Sequence, residues 1–256
     1  MSENIVNIKN DTLIDFNEEV ASTFNVQKNQ CVSIENNDIN KDLDLTFFVQ
    51  KSATLNLKLL LRKNGLNIKI HANLEQNSSF NVYFADFCNE NIKLDSHVIL
   101  LGNNSNSEFR FSSLTNKEIS KNYNICFDHI GEKTNSILEG YGVCLDKSNL
   151  TVKGISHIEK ESIKSNAKQK IKCILFDKES SAIADPILKI DCDDISASHA
   201  CAIGSLNADH IFYLLSRGID EKEAKKLITF GYLNPIKDYF SDKGKEAITS
   251  LIEGDL

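Results

Sequence analysis

The sequence predicts a mainly β protein with a short helical tail, and three observations carry that reading. Apolar and polar residues alternate with a period of two from about residue 43 to 192. Between the alternating runs lie Asn, Gly and Ser, which tolerate the left-handed backbone of tight turns. After Ile195 the apolar spacing changes to three and four residues, the spacing of one helix face.

Residues 1–42 read as an N-terminal segment, partly irregular. In the block 43–195, Leu55, Leu57 and Leu59 alternate with Asn56 and Lys58, and Leu66, Ile68 and Ile70 alternate with Asn67 and Lys69. The pattern returns at Phe80-Asn81-Val82-Tyr83-Phe84, Phe109-Arg110-Phe111, Ile125-Cys126-Phe127 and Leu150-Thr151-Val152. It continues at Ile171-Lys172-Cys173-Ile174 and Ile187-Leu188-Lys189-Ile190. Alternate side chains of a strand point to opposite faces, so each run has one buried and one wet face. Turns are expected at Asn64-Gly65 and along Gly102-Asn103-Asn104-Ser105-Asn106-Ser107, and no proline precedes Pro186. Strands with such turns fit a sandwich, a barrel or a solenoid in which each coil buries its inner face against the next. No strict residue repeat separates these architectures.

In the tail, 196–256, Asn207 is a suitable cap for a helix carrying Asp209 in its first turn and stopping at Gly218. Its stripe of Ile211, Leu214 and Leu215 is expected to pack on the β block. Asp220 and Glu223 form a capping pattern for a second helix that ends at Gly231. Asn234-Pro235 opens a third short piece, since proline is tolerated in a first helical turn. A last amphipathic segment groups Ala247, Ile248, Leu251 and Ile252. The tail reads as a small domain of short helices.

A net charge of −7 without a basic stripe argues against nucleic-acid binding. The longest apolar runs, such as Leu59-Leu60-Leu61, are far short of a membrane span. The start, Met1 to Asn7, has no basic region followed by an apolar one, so a cytoplasmic protein is expected. The seven cysteines, at 31, 88, 126, 144, 173, 192 and 201, form an odd, scattered set without Cys-x-x-Cys. Reduced thiols fit this better than a disulfide scaffold. Neither a P-loop nor Gly-x-Ser-x-Gly occurs, so neither P-loop nucleotide binding nor that serine chemistry is expected. His71, His97, His129, His157 and His210 stand isolated, apart from the pair Asp128-His129, and read as structural. The charge-dense Glu159-Lys160-Glu161-Ser162-Ile163-Lys164 reads as a solvated turn.

The most informative stretch runs Pro186-Ile187-Leu188-Lys189-Ile190-Asp191-Cys192-Asp193-Asp194-Ile195-Ser196-Ala197-Ser198-His199-Ala200. It goes on through Phe212-Tyr213-Leu214-Leu215-Ser216-Arg217-Gly218-Ile219 and Glu223-Ala224 to Gly231-Tyr232-Leu233. This succession resembles the C-terminal signature of the SufB/SufD family, the scaffold subunits of the SUF iron–sulfur cluster assembly system. Gly154, Asn166-Ala167 and Gln169 fall where the last β-coils of that family are expected.

The resemblance implies a right-handed parallel β-helix over 43–195 followed by an α-helical domain over 196–256 that docks the ABC ATPase SufC. It also implies a cytoplasmic, non-catalytic scaffold that pairs with a second SufB/SufD-type subunit, with a transient iron–sulfur cluster assembled on the complex. His199 takes the place of the histidine that D-type members carry at the scaffold junction. Imidazole is a suitable iron ligand, and a histidine there can equally hydrogen-bond across the β-to-α junction. Cys192 and Cys201 flank it as further candidate ligands, although Cys-x6-His-x-Cys matches no established metal signature. Cys144 and Cys173 are candidate stand-ins for the sulfur-receiving cysteine of B-type members. Where those members carry a cysteine after Phe-Tyr, this chain has Leu214, which places it nearer the D type or a short, minimal homodimeric scaffold. Phe212, Tyr213, Arg217 and Gly218 would belong to the ATPase-docking surface. Gly218 also stops the helix, and Arg217 complements its negative pole. A β-helix carbohydrate-active enzyme is the contrasting reading; it needs paired carboxylates along one solenoid face.

Overall fold

The computed structural model describes residues 5–9, 14–18, 22–62, 65–206 and 208–254. Asn64 and Asn207, expected as turn and cap, lie outside them, as does the side chain of His210. The strands form two wholly parallel sheets. One contains β1 (Ile5–Ile8), β2 (Thr23–Val26), β4 (Leu43–Val49), β6 (Leu66–Leu74), β8 (Ile92–Leu100), β10 (Ser120–His129), β12 (Asn149–Ile158) and β14 (Ser181–Ile190). The other contains β3 (Cys31–Ile39), β5 (Thr54–Leu61), β7 (Ser79–Asp86), β9 (Asn106–Thr115), β11 (Asn135–Cys144), β13 (Asn166–Leu175) and β15 (Ser196–Ser205). From β2 onward consecutive strands alternate between the sheets, so the chain winds as a solenoid of about six turns, a β-helix.

Alternation builds the core. Inward residues such as Leu55, Leu57, Leu59, Ile68 and Ile70 are fully or almost fully buried between the sheets. Phe24 and Phe47 of the first sheet stack at 5.3 Å, and Phe47 meets Phe80 of the second at 5.4 Å. One ion pair is sealed inside: Lys121 donates to Asp86 at 2.7 Å and to the Leu114 carbonyl at 2.8 Å, and Tyr123 donates to Asp86 at 2.5 Å. Such a pair tolerates burial because every charged atom finds a partner.

Outward asparagines stack from coil to coil, and their spacing explains why no strict repeat shows in the sequence. Asn81 bonds Asn56, Asn104 bonds Asn77, Glu132 N–H donates to Asn103, and Asn166 bonds Asn135, at separations of 25, 27, 29 and 31 residues. These coils thus lengthen along the second sheet, and only the last step, which sets Asn166 opposite Ser196, does not lengthen further. Left-handed residues at the corners, from Asn29 (φ 61°) through Asn77 and Asn104 to Lys133 (φ 54°) and Lys164, close the coils.

The helices are α1 (Ala208–Ser216), α2 (Glu221–Leu233) and α3 (Asp242–Gly254), with a 3₁₀ turn at Asn234–Tyr239. Asp220 caps α2 by accepting from the Glu223 N–H at 2.8 Å. Helix α2 continues through Gly231 to Leu233, where the Asn-Pro pair takes over, so the expected stop at Gly231 moves on. Leu233, Ile236, Phe240, Ile248 and Ile252 pack against Leu60, Ala85, Leu114 and Val143 on the outer face of the second sheet. Ser112 donates to the Leu233 carbonyl, and Glu35 accepts from Ser241.

Three expectations are corrected. The residues from Ser196 to Ser205 form strand β15, so the helices begin about ten residues later than the change of period implied; small residues and a lone histidine mask the alternation there. Within 1–42, strands β1 to β3 already form coils. The stripe Ile211, Leu214, Leu215 does not pack on the sheets: α1 leans chiefly on α2, and Leu215 is exposed.

Candidate functional site

Strand β15 pairs with β13 along one edge, and no described strand pairs with its other edge. The same holds for β14 beyond β12. Register fixes which side chains face the interior. Buried Ala167, Gln169, Ile171 and Cys173 of β13 stand opposite Ala197, His199, Cys201 and Ile203 of β15. His199 and Cys201 are therefore core positions of the last coil. Lacking a following coil, they are exposed, as is Ile203 at 39%. Pro186 suits an edge strand because it has no N–H to leave unpaired.

Side chains two residues apart on one strand face lie about 7 Å apart, within reach of a shared metal ion or small cluster. His199 makes no hydrogen bond or ion pair with another described residue, so the imidazole is free to ligate. Cys201 has its thiol pushed up by partial burial. The pair offers a nitrogen and a sulfur ligand toward whatever covers the end of the solenoid.

Cys192 is not brought to them in the same way. It occupies the corner between β14 and β15, buried with Ile158, Ala167, Leu188 and Ile195. Cys144 and Cys173 lie inside the solenoid. Cys173 faces Gly142 on one side and Ile203 on the other, and Cys144 is two residues beyond Gly142. Cys144, Cys173 and Cys201 thus descend a diagonal through three successive coils toward the open end. Burial pushes both interior thiols up to about 12, and for Cys173 the neighbouring Cys144 and Cys201 add to the rise. At neutral pH both are protonated.

On the tail, Phe212 (72% exposed) and Tyr213 (56%) project from α1, and Arg217 lies over the Tyr213 ring at 5.2 Å. Gly218, at φ +84°, ends the helix as expected, with its N–H on the Leu215 carbonyl. Of the histidines read as structural, His129 fits: it is fully buried between Thr134 and Ser136. His97 and His157 instead lie on the outer face of the first sheet among acidic side chains. That grouping had no sequence signal, because its members come from different coils. Among the described residues no helix is long and apolar enough to cross a membrane.

Comparison with known proteins bears on this geometry. Residues 5–232 match the family model described as SUF system FeS cluster assembly, SufBD core domain. The iron–sulfur cluster assembly protein SufD of Bacillus subtilis is 32% identical over 137 residues, which cover 53% of this chain and 31% of that protein. SufB of the same organism is 28% identical over 109 residues, 42% of this chain and 23% of the relative. SufD of Escherichia coli is 27% identical over 99 residues, 39% and 23%. The matched stretches thus span less than a third of the length of these relatives. A parallel β-helix that ends in an open coil, and a core-domain match running almost from its first strand into its second helix, lead to one conclusion: the chain belongs to the SufB/SufD family of SUF iron–sulfur cluster assembly proteins.

Proposed function

We propose that the protein is a non-catalytic, cytoplasmic scaffold of SUF-type assembly whose open last coil meets a second SufB/SufD-type scaffold, with a nascent iron–sulfur cluster built at that seam. The observation carrying this reading is the unpaired inner face on which His199 and Cys201 stand side by side. The cluster is cargo, held by His199 and Cys201 together with ligands from the second scaffold, and passed on. Cys192, in its apolar corner, would join only if the corner opens. Cys144 and Cys173 mark the route by which sulfur would reach Cys201, each hop moving a persulfide sulfur from one thiol to the next with no net redox change. Both protonated thiols would have to lose a proton for such hops.

The exposed Phe212, Tyr213 and Arg217, held in place by the Gly218 stop, form the surface offered to a SufC-type ATPase, since aromatic and arginine side chains are favoured interface anchors. Nucleotide-driven motion of that ATPase would reach the seam through the tail, which is packed on the second sheet. The second scaffold is either a B-type partner or another copy of this chain.

The test is anaerobic reconstitution with a SufC-type ATPase, with and without a B-type scaffold. His199→Ala and Cys201→Ser should each lose most of the iron–sulfur absorption, whereas Cys192→Ser should keep it. Phe212→Ala should release the ATPase. Unchanged spectra for both His199→Ala and Cys201→Ser would end the site assignment. Light scattering of the chain alone separates a homodimer from a subunit that waits for its partner.

A further inference from the structure

Away from the open end, on the outer face of the first sheet, three adjacent coils gather metal-binding side chains that the assembly reading does not use. His97 of β8 stands directly opposite Cys126 of β10, and Asp128 lies two residues along on the same outward face. Their inward neighbours Ile125 and Phe127 are fully buried, which fixes the outward direction of Cys126 and Asp128. His97 Nε2 lies 2.6 Å from Asp128 Oδ2, and Cys126 Sγ lies 3.9 Å from Asp128 Oδ1. One donor atom from each of the three residues falls within 4.8 Å of the others.

We propose that His97, Cys126 and Asp128 bind one divalent transition-metal ion, zinc or ferrous iron. Nitrogen, thiolate and carboxylate donors are the set that a borderline cation accepts, and hard cations such as magnesium disfavour the thiolate. In a tetrahedral shell with metal–ligand lengths near 2.0–2.3 Å, donor atoms stand about 3.3–3.5 Å apart. The sulfur–carboxylate pair closes slightly and the histidine–carboxylate pair opens slightly to reach this, both by side-chain rotation on a rigid sheet. Thiolate and carboxylate together offset the dication, with the imidazole neutral. All three residues are half-buried, which leaves a fourth position open on the solvent side.

The surroundings supply an outer layer of the usual kind. His157 Nδ1 lies 3.8 Å from Asp128 Oδ1, while its Nε2 is 3.0 Å from Asp191. Glu159 lies 3.9 Å from His157 Nδ1, and the His71 ring approaches His97 edge-on at 6.3 Å. Burial and then the Asp128 carboxylate push the Cys126 thiol up to about 11, with Lys189 acting in the opposite direction, so a bound ion would displace the thiol proton. The cluster comprises residues 97, 126 and 128 and faces away from the interior into which His199 points, so the site stands independently of the seam.

The experiment uses the full chain, stripped with chelator and titrated anaerobically with cobalt(II) as a spectroscopic probe. One equivalent should give a near-ultraviolet thiolate-to-cobalt charge-transfer band. Cys126→Ser should abolish it, and His97→Ala and Asp128→Asn should each weaken binding about tenfold or more. Cys31→Ser and Cys201→Ser, which alter the exposed thiols, should leave it unchanged. Zinc and ferrous iron are then competed against the cobalt, and the ion displacing it at the lower concentration is the preferred one. The proposal is overturned if no band forms at one equivalent, if the band survives Cys126→Ser, or if only Cys201→Ser removes it. Should Cys126→Ser fail to fold by circular dichroism, a band unaffected in both His97→Ala and Asp128→Asn overturns it equally.

Discussion

His129 shows how burial turns an ionisable residue into a fixed structural part. Its Nδ1 and Nε2 engage the Thr134 and Ser136 hydroxyls at 2.7 and 2.8 Å, and desolvation pushes its pKa down to about 4. The unfolded chain takes up this proton near pH 6.5, whereas the folded chain resists it until about 4. Stability from the neutral ring is therefore complete above pH 6.5 and is lost as pH falls to 4, a contribution on the order of 3 kcal/mol. Urea midpoints measured across that window should fall with acidification, and His129→Gln should show a shallower fall over the same range. A structural reading of His129 was available from the sequence because it stands apart from the other histidines, with Asp128 its only adjacent acidic residue. The pairing of His97 with Asp128 was not, since it depends on a coil that sets His97 opposite Cys126, two residues short of Asp128, and so brings the two side chains to 2.6 Å.

At the scale of the element, the strands were legible wherever one face is wet. They were less so where both faces are covered, as at the end of β7, where Tyr83 to Asp86 are buried on both sides by core and tail. The glycines separate the two situations. A Cβ on Gly140 would come within 2.0 Å of the Phe111 ring, whereas one on Gly204, in the open strand β15, meets nothing within 4 Å. Gly140→Ala should lower the denaturation midpoint, by overpacking worth about 1–3 kcal/mol. Gly204→Ala should change stability by no more than about 0.5 kcal/mol. Equal effects would mean that β11 adjusts its register more freely than its packing implies. Helix α2 was readable from Asp220 and Glu223 because a cap is local chemistry. Strand β15 was not, because its inward positions carry Ala, His and Cys rather than a run of large apolar residues.

At the scale of the whole molecule, the solenoid has one face closed by its own tail and, among the described residues, one end without a cover. Repeat architectures normally need a polar cap where the stack stops. Here Ile190 and Ile203 are exposed at that end instead. If a second scaffold covers it, Ile203→Asp should leave thermal stability nearly unchanged while light scattering and co-purification report loss of pairing. A complex that persists would move the seam elsewhere. The sequence by itself determined the β-then-helix order, the turn chemistry and the family signature from Pro186 to Leu233, because each is written within a few neighbouring residues. Only the tertiary structure decided that Cys144, Cys173 and Cys201 share a diagonal, that His199 stands on the exposed inner face of the last coil, and that His97, Cys126 and Asp128 meet. Those relations arise between coils of unequal length, so no fixed spacing along the chain records them.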